Sequence, residues 1–249
     1  MRKTLVYDLP IRIFHWLFAA SFVVAFIIAK TIDDESSAYA YHMLLGIFMA
    51  TMVVLRIIWG LVGPEHARFT SFPVSPSSLL SYGKELFVEK PKKYIGHNPA
   101  SSLAALVMFI CSLGLAFSGY MMVEMHSKHF YEEVHEVFAH LFLVAAIMHV
   151  AGVVFHTLRF KDIIGLSMIT GYKNVTEEND KNHQQGSHNI FAGIIFLAIV
   201  LSTASLLLNN YNTTTGQLQI GQAKFNLVEI ENETEGGEYN DGDNKGDDD

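Results

Sequence analysis

Five apolar stretches, each near the length that crosses a lipid bilayer, dominate this chain of 249 residues. They run over residues 11–29, 39–62, 101–123, 134–158 and 189–208. About 20 apolar residues in a helix span roughly 30 Å of hydrocarbon. Backbone groups in lipid must pair within a helix or a closed barrel, and these runs lack the alternation of barrel strands. The expected architecture is therefore all-α, a polytopic transmembrane helical bundle. Charged residues make up only 17% of the chain, against about a quarter in soluble domains. That excludes a disordered protein and argues against a soluble enzyme. The first stretch is long, lacks a small-residue cleavage site and is followed by further spans, so it does not read as a cleaved signal peptide.

Charge between the spans orients the bundle. Arg2, Lys3 and Arg12 lie at its start, and the loop after the first span reads TIDDESSA. The next loop carries Arg68, Lys84, Lys90, Lys92 and Lys93, the third holds Lys128 among acids, and Arg159, Lys161 and Lys173 follow the fourth span. Basic and acidic loops alternate, which places the N-terminus in the cytoplasm and the C-terminus outside. The formal charge of −8 belongs to the tail: residues 209–249 hold ten acids and two lysines, and the remaining chain balances fifteen against fifteen. Within that tail, QLQIGQAKFNLVEI alternates as a short hairpin would, whereas residues 231–249 are acidic, low in complexity and expected to be disordered. DGDNKG at 241–246 echoes the start of a calcium loop, but Lys245 occupies a ligand position and the run is not read as a site. There is no Gly-rich phosphate loop and no basic stripe for nucleic acid.

Twelve histidines against one cysteine set the chemistry. Cys111 has no partner, so disulfides, a CxxC metal site and a CxxCH haem attachment are all excluded. Ionisable residues inside spans are rare and functional by default. Here His15 lies in span one, His42 in span two, and His135, His140, His149 and His156 in span four. His135 and His149 share a helix face and sit about 21 Å apart along the axis. Topology gives each a partner at its own depth: His42 with His135 outside, and His15 with His149 or His156 inside, the last two differing by only about 20° of rotation. His140 faces elsewhere. Neutral imidazole suits several metals. Bis-imidazole ligation of a flat macrocycle also needs small neighbours, and Gly46, Ala139 and Gly152 lie on the ligand faces. Arg56, inside MVVLRIIWG, is either a snorkelling arginine or a partner for a haem propionate. Trp16 and Trp59 fit an interfacial aromatic belt. In GHNP, Asn98 reads as a helix cap before Pro99. His66, His126, His129, His183 and His188 fall in or beside loops and are expected to be solvated.

The stretches YDLPIRIFHW, HMLLGIFMATMVVLRIIWGLVGPEHARFTSF, GHNPASSLAALVMF and VHEVFAHLFLVAAIMHVAGVVFHTLRFKDIIGLSMITGYK occur in that order. Over residues 7–173 the chain resembles the bacterial cytochrome b561 and Ni,Fe-hydrogenase b-type cytochrome family. The resemblance implies a four-helix dihaem electron carrier of the inner membrane with two non-covalent haem b groups. It implies His15, His42, His135 and His149 as ligands, choosing His149 over His156. It further implies a quinone pocket around His149, as several family members use. After Lys173 the chain departs from the pattern.

The resulting expectation has three parts: a four-helix dihaem domain over 1–173, a linker and fifth transmembrane helix over 174–208, and an extracytoplasmic, largely disordered acidic tail over 209–249. Its function is electron transfer across the cytoplasmic membrane, between the quinone pool and an extracytoplasmic c-type cytochrome or hydrogenase-like subunit. Any enzymatic role would be quinone oxidoreduction within a respiratory complex. The bundle itself partners membrane lipid, and no nucleic acid. The rival from another class is a metal or proton transporter lined by the same four histidines; a purely structural subunit leaves the paired histidines unexplained.

Overall fold

A computed structural model describes residues 2–85, 98–124, 128–160, 164–175 and 188–227. His97, His126, His183, Lys90, Lys92, Lys93, Lys161 and the acidic segment 231–249 lie outside the described residues. Five long helices carry the structure: α1 (Leu9–Thr31), α2 (Ala40–Val62), α4 (Pro99–Glu124), α5 (Lys128–Phe160) and α7 (Ile190–Asn210). All five are apolar and long enough to cross a membrane. Two short helices, α3 (Pro76–Glu85) and α6 (Ser167–Thr170), lie between them.

Local chemistry sets the helix ends. Asp8, in extended conformation, caps α1 by accepting the Ile11 N–H, and Pro10 sits in the first turn. Asn98 Oδ1 accepts the Ser101 N–H at 2.8 Å, the cap expected before Pro99. Gly114 brings α4 against the Phe138 ring of α5, where a side chain would collide. The fifth helix, α7, packs on α1 and α2 through Met52, Phe196 and Val200, with Phe14, Leu17 and Phe18 around them.

Both ends of the bundle are closed by β-structure. Where the chain begins, β1 (Arg2–Leu5) pairs antiparallel with β2 (Tyr172–Val175). Gly171 turns the chain there with φ of 86°, and its carbonyl accepts the Val6 and Tyr7 N–H groups. An added Cβ would meet the Tyr7 carbonyl, so only glycine suits the position. At the other end β3 (Tyr211–Asn212), β4 (Gln217–Ile220) and β5 (Ala223–Asn226) form an antiparallel sheet. Tyr211, Leu218 and Leu227 seat it on Ala40, Leu44 and Leu207. The expected hairpin is present, joined by a third strand, so the segment 209–249 opens with an ordered cap.

Candidate functional site

The helices do not pack evenly. α4 lies along α5, and α1 along α2, but the α5 backbone stays clear of α1 and α2 over nearly all its length. Among the described residues of α5, Phe142 alone is buried. The residues that face this gap repeat every seven positions, which keeps them on one side of a helix to within about 20°. On α5 they are His135, Phe142 and His149, on α1 His15 and Phe22, and on α2 His42, with Arg56 fourteen residues further along.

At one level the His42 and His135 rings meet edge to face, with centres 6.2 Å apart and planes at 69°. The His42 Nδ1–H donates to the Ala25 carbonyl at 2.9 Å, since a carbonyl can only accept. His135 Nδ1 lies 3.0 Å from Ser118 Oγ. The Ser118 hydroxyl gives its own hydrogen to the Gly114 carbonyl at 2.8 Å, so toward His135 it accepts. The Leu115 carbonyl lies 3.3 Å from the same Ser118 hydroxyl. Both imidazoles therefore carry their proton on Nδ1 and keep a lone pair on Nε2. Tyr39 stacks on His42 at 5.3 Å.

At the other level stand His15 of α1 and His149 of α5, both partly buried. Arg56, two heptads along α2 from His42, is 4% exposed. It does not snorkel. Its Nη2 donates to the Ala67 carbonyl at 3.0 Å and its guanidinium lies over the Phe69 and Phe109 rings. Its Nη1 is buried without a hydrogen-bond partner among the described residues. Beyond it, Asp8 Oδ2 accepts from Trp59 Nε1 at 3.0 Å and from Asn189 Nδ2 at 3.1 Å, joining α1, α2 and α7. Trp16 Nε1 donates to the Met168 carbonyl at 3.1 Å. Both tryptophans therefore anchor structure beyond the interfacial role expected of them.

This donor set fits a haem better than a bare ion. His42 and His135 would hold one haem, each through the Nε2 that its Nδ1 hydrogen bond leaves free. Among the described residues no group of three or more His, Cys, Asp or Glu is placed to hold a metal ion, whereas a bare ion takes about four such ligands. A Cβ placed on Gly46 or Gly152 would meet nothing within 4 Å, so both glycines border open space. The buried Arg56 Nη1 is a donor suited to a carboxylate.

The other histidines differ. His140 is exposed and binds the Glu136 carbonyl of its own helix, facing away as expected. His66 is buried, contrary to the solvated position expected of it; the short turn over Glu65–Ala67 folds it inward against the bundle. His129 and His188 are exposed. Sequence reasoning missed Asp8, Phe22, Ser118 and Phe142. Asp8 had a signal, an acid one residue before a Leu-Pro helix start.

Residues 6–171 match the family model of prokaryotic cytochrome b561. The chain is similar to a probable Ni/Fe-hydrogenase B-type cytochrome subunit of Azotobacter vinelandii, 34% identical over 42% of this chain and 52% of that protein. A Rhizobium leguminosarum bv. viciae protein of the same description is 32% identical over 43% and 54%. A probable Ni/Fe-hydrogenase 1 B-type cytochrome subunit of Escherichia coli K12 is 24% identical over 50% and 62%. The chain thus spans about half the length of the curated relatives it matches. No solved structure matches it.

Proposed function

The chain belongs to the prokaryotic cytochrome b561 family, a multi-pass b-type cytochrome of electron transport, and from that premise we propose that it carries electrons across the cytoplasmic membrane on two haem b groups. His42 and His135 hold one haem, and His15 and His149 the other. The observation that carries this reading is the meeting of His42 and His135 at 6.2 Å with both Nδ1 atoms hydrogen-bonded. Haem supplies one-electron exchange at its iron; the chain supplies ligation, burial and hydrogen bonds to the ligating rings, which tune potential.

Each residue around the gap has a task. Ala25 and Ser118 orient the two rings, Gly46 and Gly152 leave room beside them, and Arg56 offers a buried cation to a propionate at the His15/His149 level. Candidate ligands about 21 Å apart along α5 divide the hydrocarbon into two steps. The basic loops support an N-terminus in the cytoplasm and a C-terminus in the periplasm. On that orientation, quinone exchanges electrons near His149, and the extracytoplasmic partner meets the His42/His135 end. The names of the relatives favour a hydrogenase-like subunit there over a c-type cytochrome. Co-purification with a large metalloenzyme subunit is the expected result; a salt-sensitive association with a c-type cytochrome alone would replace that partner.

Single substitutions test the pairing. His42→Ala and His135→Ala are each expected to remove the same haem, and His15→Ala and His149→Ala the other, read as loss of one spectrally distinct b-type component. If His42→Ala and His15→Ala removed the same component, the pairing would be wrong.

A further inference from the structure

Phe142 is the one buried residue among the described residues of α5, at 2% exposure. It stands seven residues from both His135 and His149, hence about 10.5 Å from each along the helix. Its ring reaches across the gap to α1, where its centre lies 4.4 Å from Phe22 and 6.0 Å from Phe18. Phe22 in turn stands seven residues from His15. The rest of α5 leans on α4 and leaves its backbone clear of α1 and α2. The distance between α1 and α5 is therefore set by side-chain packing at mid-height, and close-packed aromatic rings resist compression.

We propose that Phe142, seated on Phe22 and Phe18, is the spacer that fixes the width of the α1–α5 gap and so sets axial geometry at both haem sites. It is a positioning residue, acting through the helices that carry the histidines, and the inference rests on the dihaem reading above. Shortening the spacer lets α5 settle toward α1, which changes the meeting of rings at both levels together. A pocket wall at one site would affect that site alone.

The test uses the full chain, purified in detergent from a haem-replete host, as wild type, Phe142→Ala, Phe142→Leu and Phe196→Ala. Phe196 of α7 is buried with Met52 of α2 and Val200, in a cluster that does not include Phe142, and serves as the control for lost packing. Haem per chain, the electron paramagnetic resonance of the oxidised low-spin haems and their midpoint potentials are read. Two haems in the wild type are the premise; fewer would sink the dihaem reading itself, before the spacer is in question. Phe142→Ala is expected to shift the resonance and the potential of both haems, and Phe142→Leu to return both most of the way. Phe196→Ala is expected to lower the melting temperature while leaving both signals in place. Should Phe142→Ala fail to fold, Phe142→Leu carries the test through smaller shifts at both haems. Unchanged signals, or a shift at one haem only, would overturn the proposal.

Discussion

Ser118 Oγ accepts a hydrogen bond from His135 Nδ1 at 3.0 Å because its own hydrogen is committed to the Gly114 carbonyl at 2.8 Å. One serine on α4 thus fixes the tautomer of an imidazole on α5 and aims its Nε2 lone pair into the gap. A ligand held by two interactions loses less freedom on binding than one held by its helix alone.

Ser118→Ala removes that acceptor. Removing the hydrogen-bond partner of a ligating histidine lowers affinity by about 10–100-fold. Haem release to an apoprotein acceptor, followed optically, is the measurement. The component assigned to His42/His135 should leave faster while the other is unaffected.

Arg56→Gln keeps a polar side chain but deletes a buried charge. A unit charge about 8–15 Å from a redox centre contributes on the order of 1–2 kcal/mol at an effective dielectric near 20. A cation favours the reduced state, so the His15/His149 haem should titrate at a lower potential in the variant. A fall at the His42/His135 haem instead would mean that Arg56 serves the other site.

Asp8 governs the junction of α1, α2 and α7. Burial pushes its carboxyl up from the ordinary value of 3.8, against the hydrogen bonds of Asn189, Ile11 and Trp59 and the charge of Arg56. A carboxyl raised in the folded state stabilises most in acid, and its contribution is lost as pH rises through the folded value. Asp8→Asn retains a capping oxygen but turns an amide toward two donors, which costs about 1–3 kcal/mol for an unsatisfied buried group. The variant should melt earlier at neutral pH, with a flatter dependence of melting temperature on pH above the ordinary carboxyl value of 3.8.

The spans, their number and the pairing of His42 with His135 were legible because periodicity and hydrophobic length survive in a single sequence. The Asn98 cap and the hairpin over 217–226 were legible from local turn and alternation signals. Ser118 and Phe142 were not, because a serine and a phenylalanine in an apolar helix carry no mark of which neighbour they meet. The choice between His149 and His156 also lay beyond rotation alone; it came from the family motif. Arg56 was ambiguous because snorkelling and burial give the same sequence, and the turn at 63–72 that covers it forms only in the folded chain. The anchoring of α7 through Asn189 and Asp8 joins residues 181 positions apart, a contact that no local pattern records.

The central claim is two haems held by four histidines. Pyridine haemochrome quantitation of the detergent-purified chain, with oxidised and dithionite-reduced spectra, tests it most directly. The account expects sharp reduced b-type bands and about two haems per chain, one for each pair of histidines. A colourless protein from a haem-replete host would contradict it and return the same histidines to metal or proton transport.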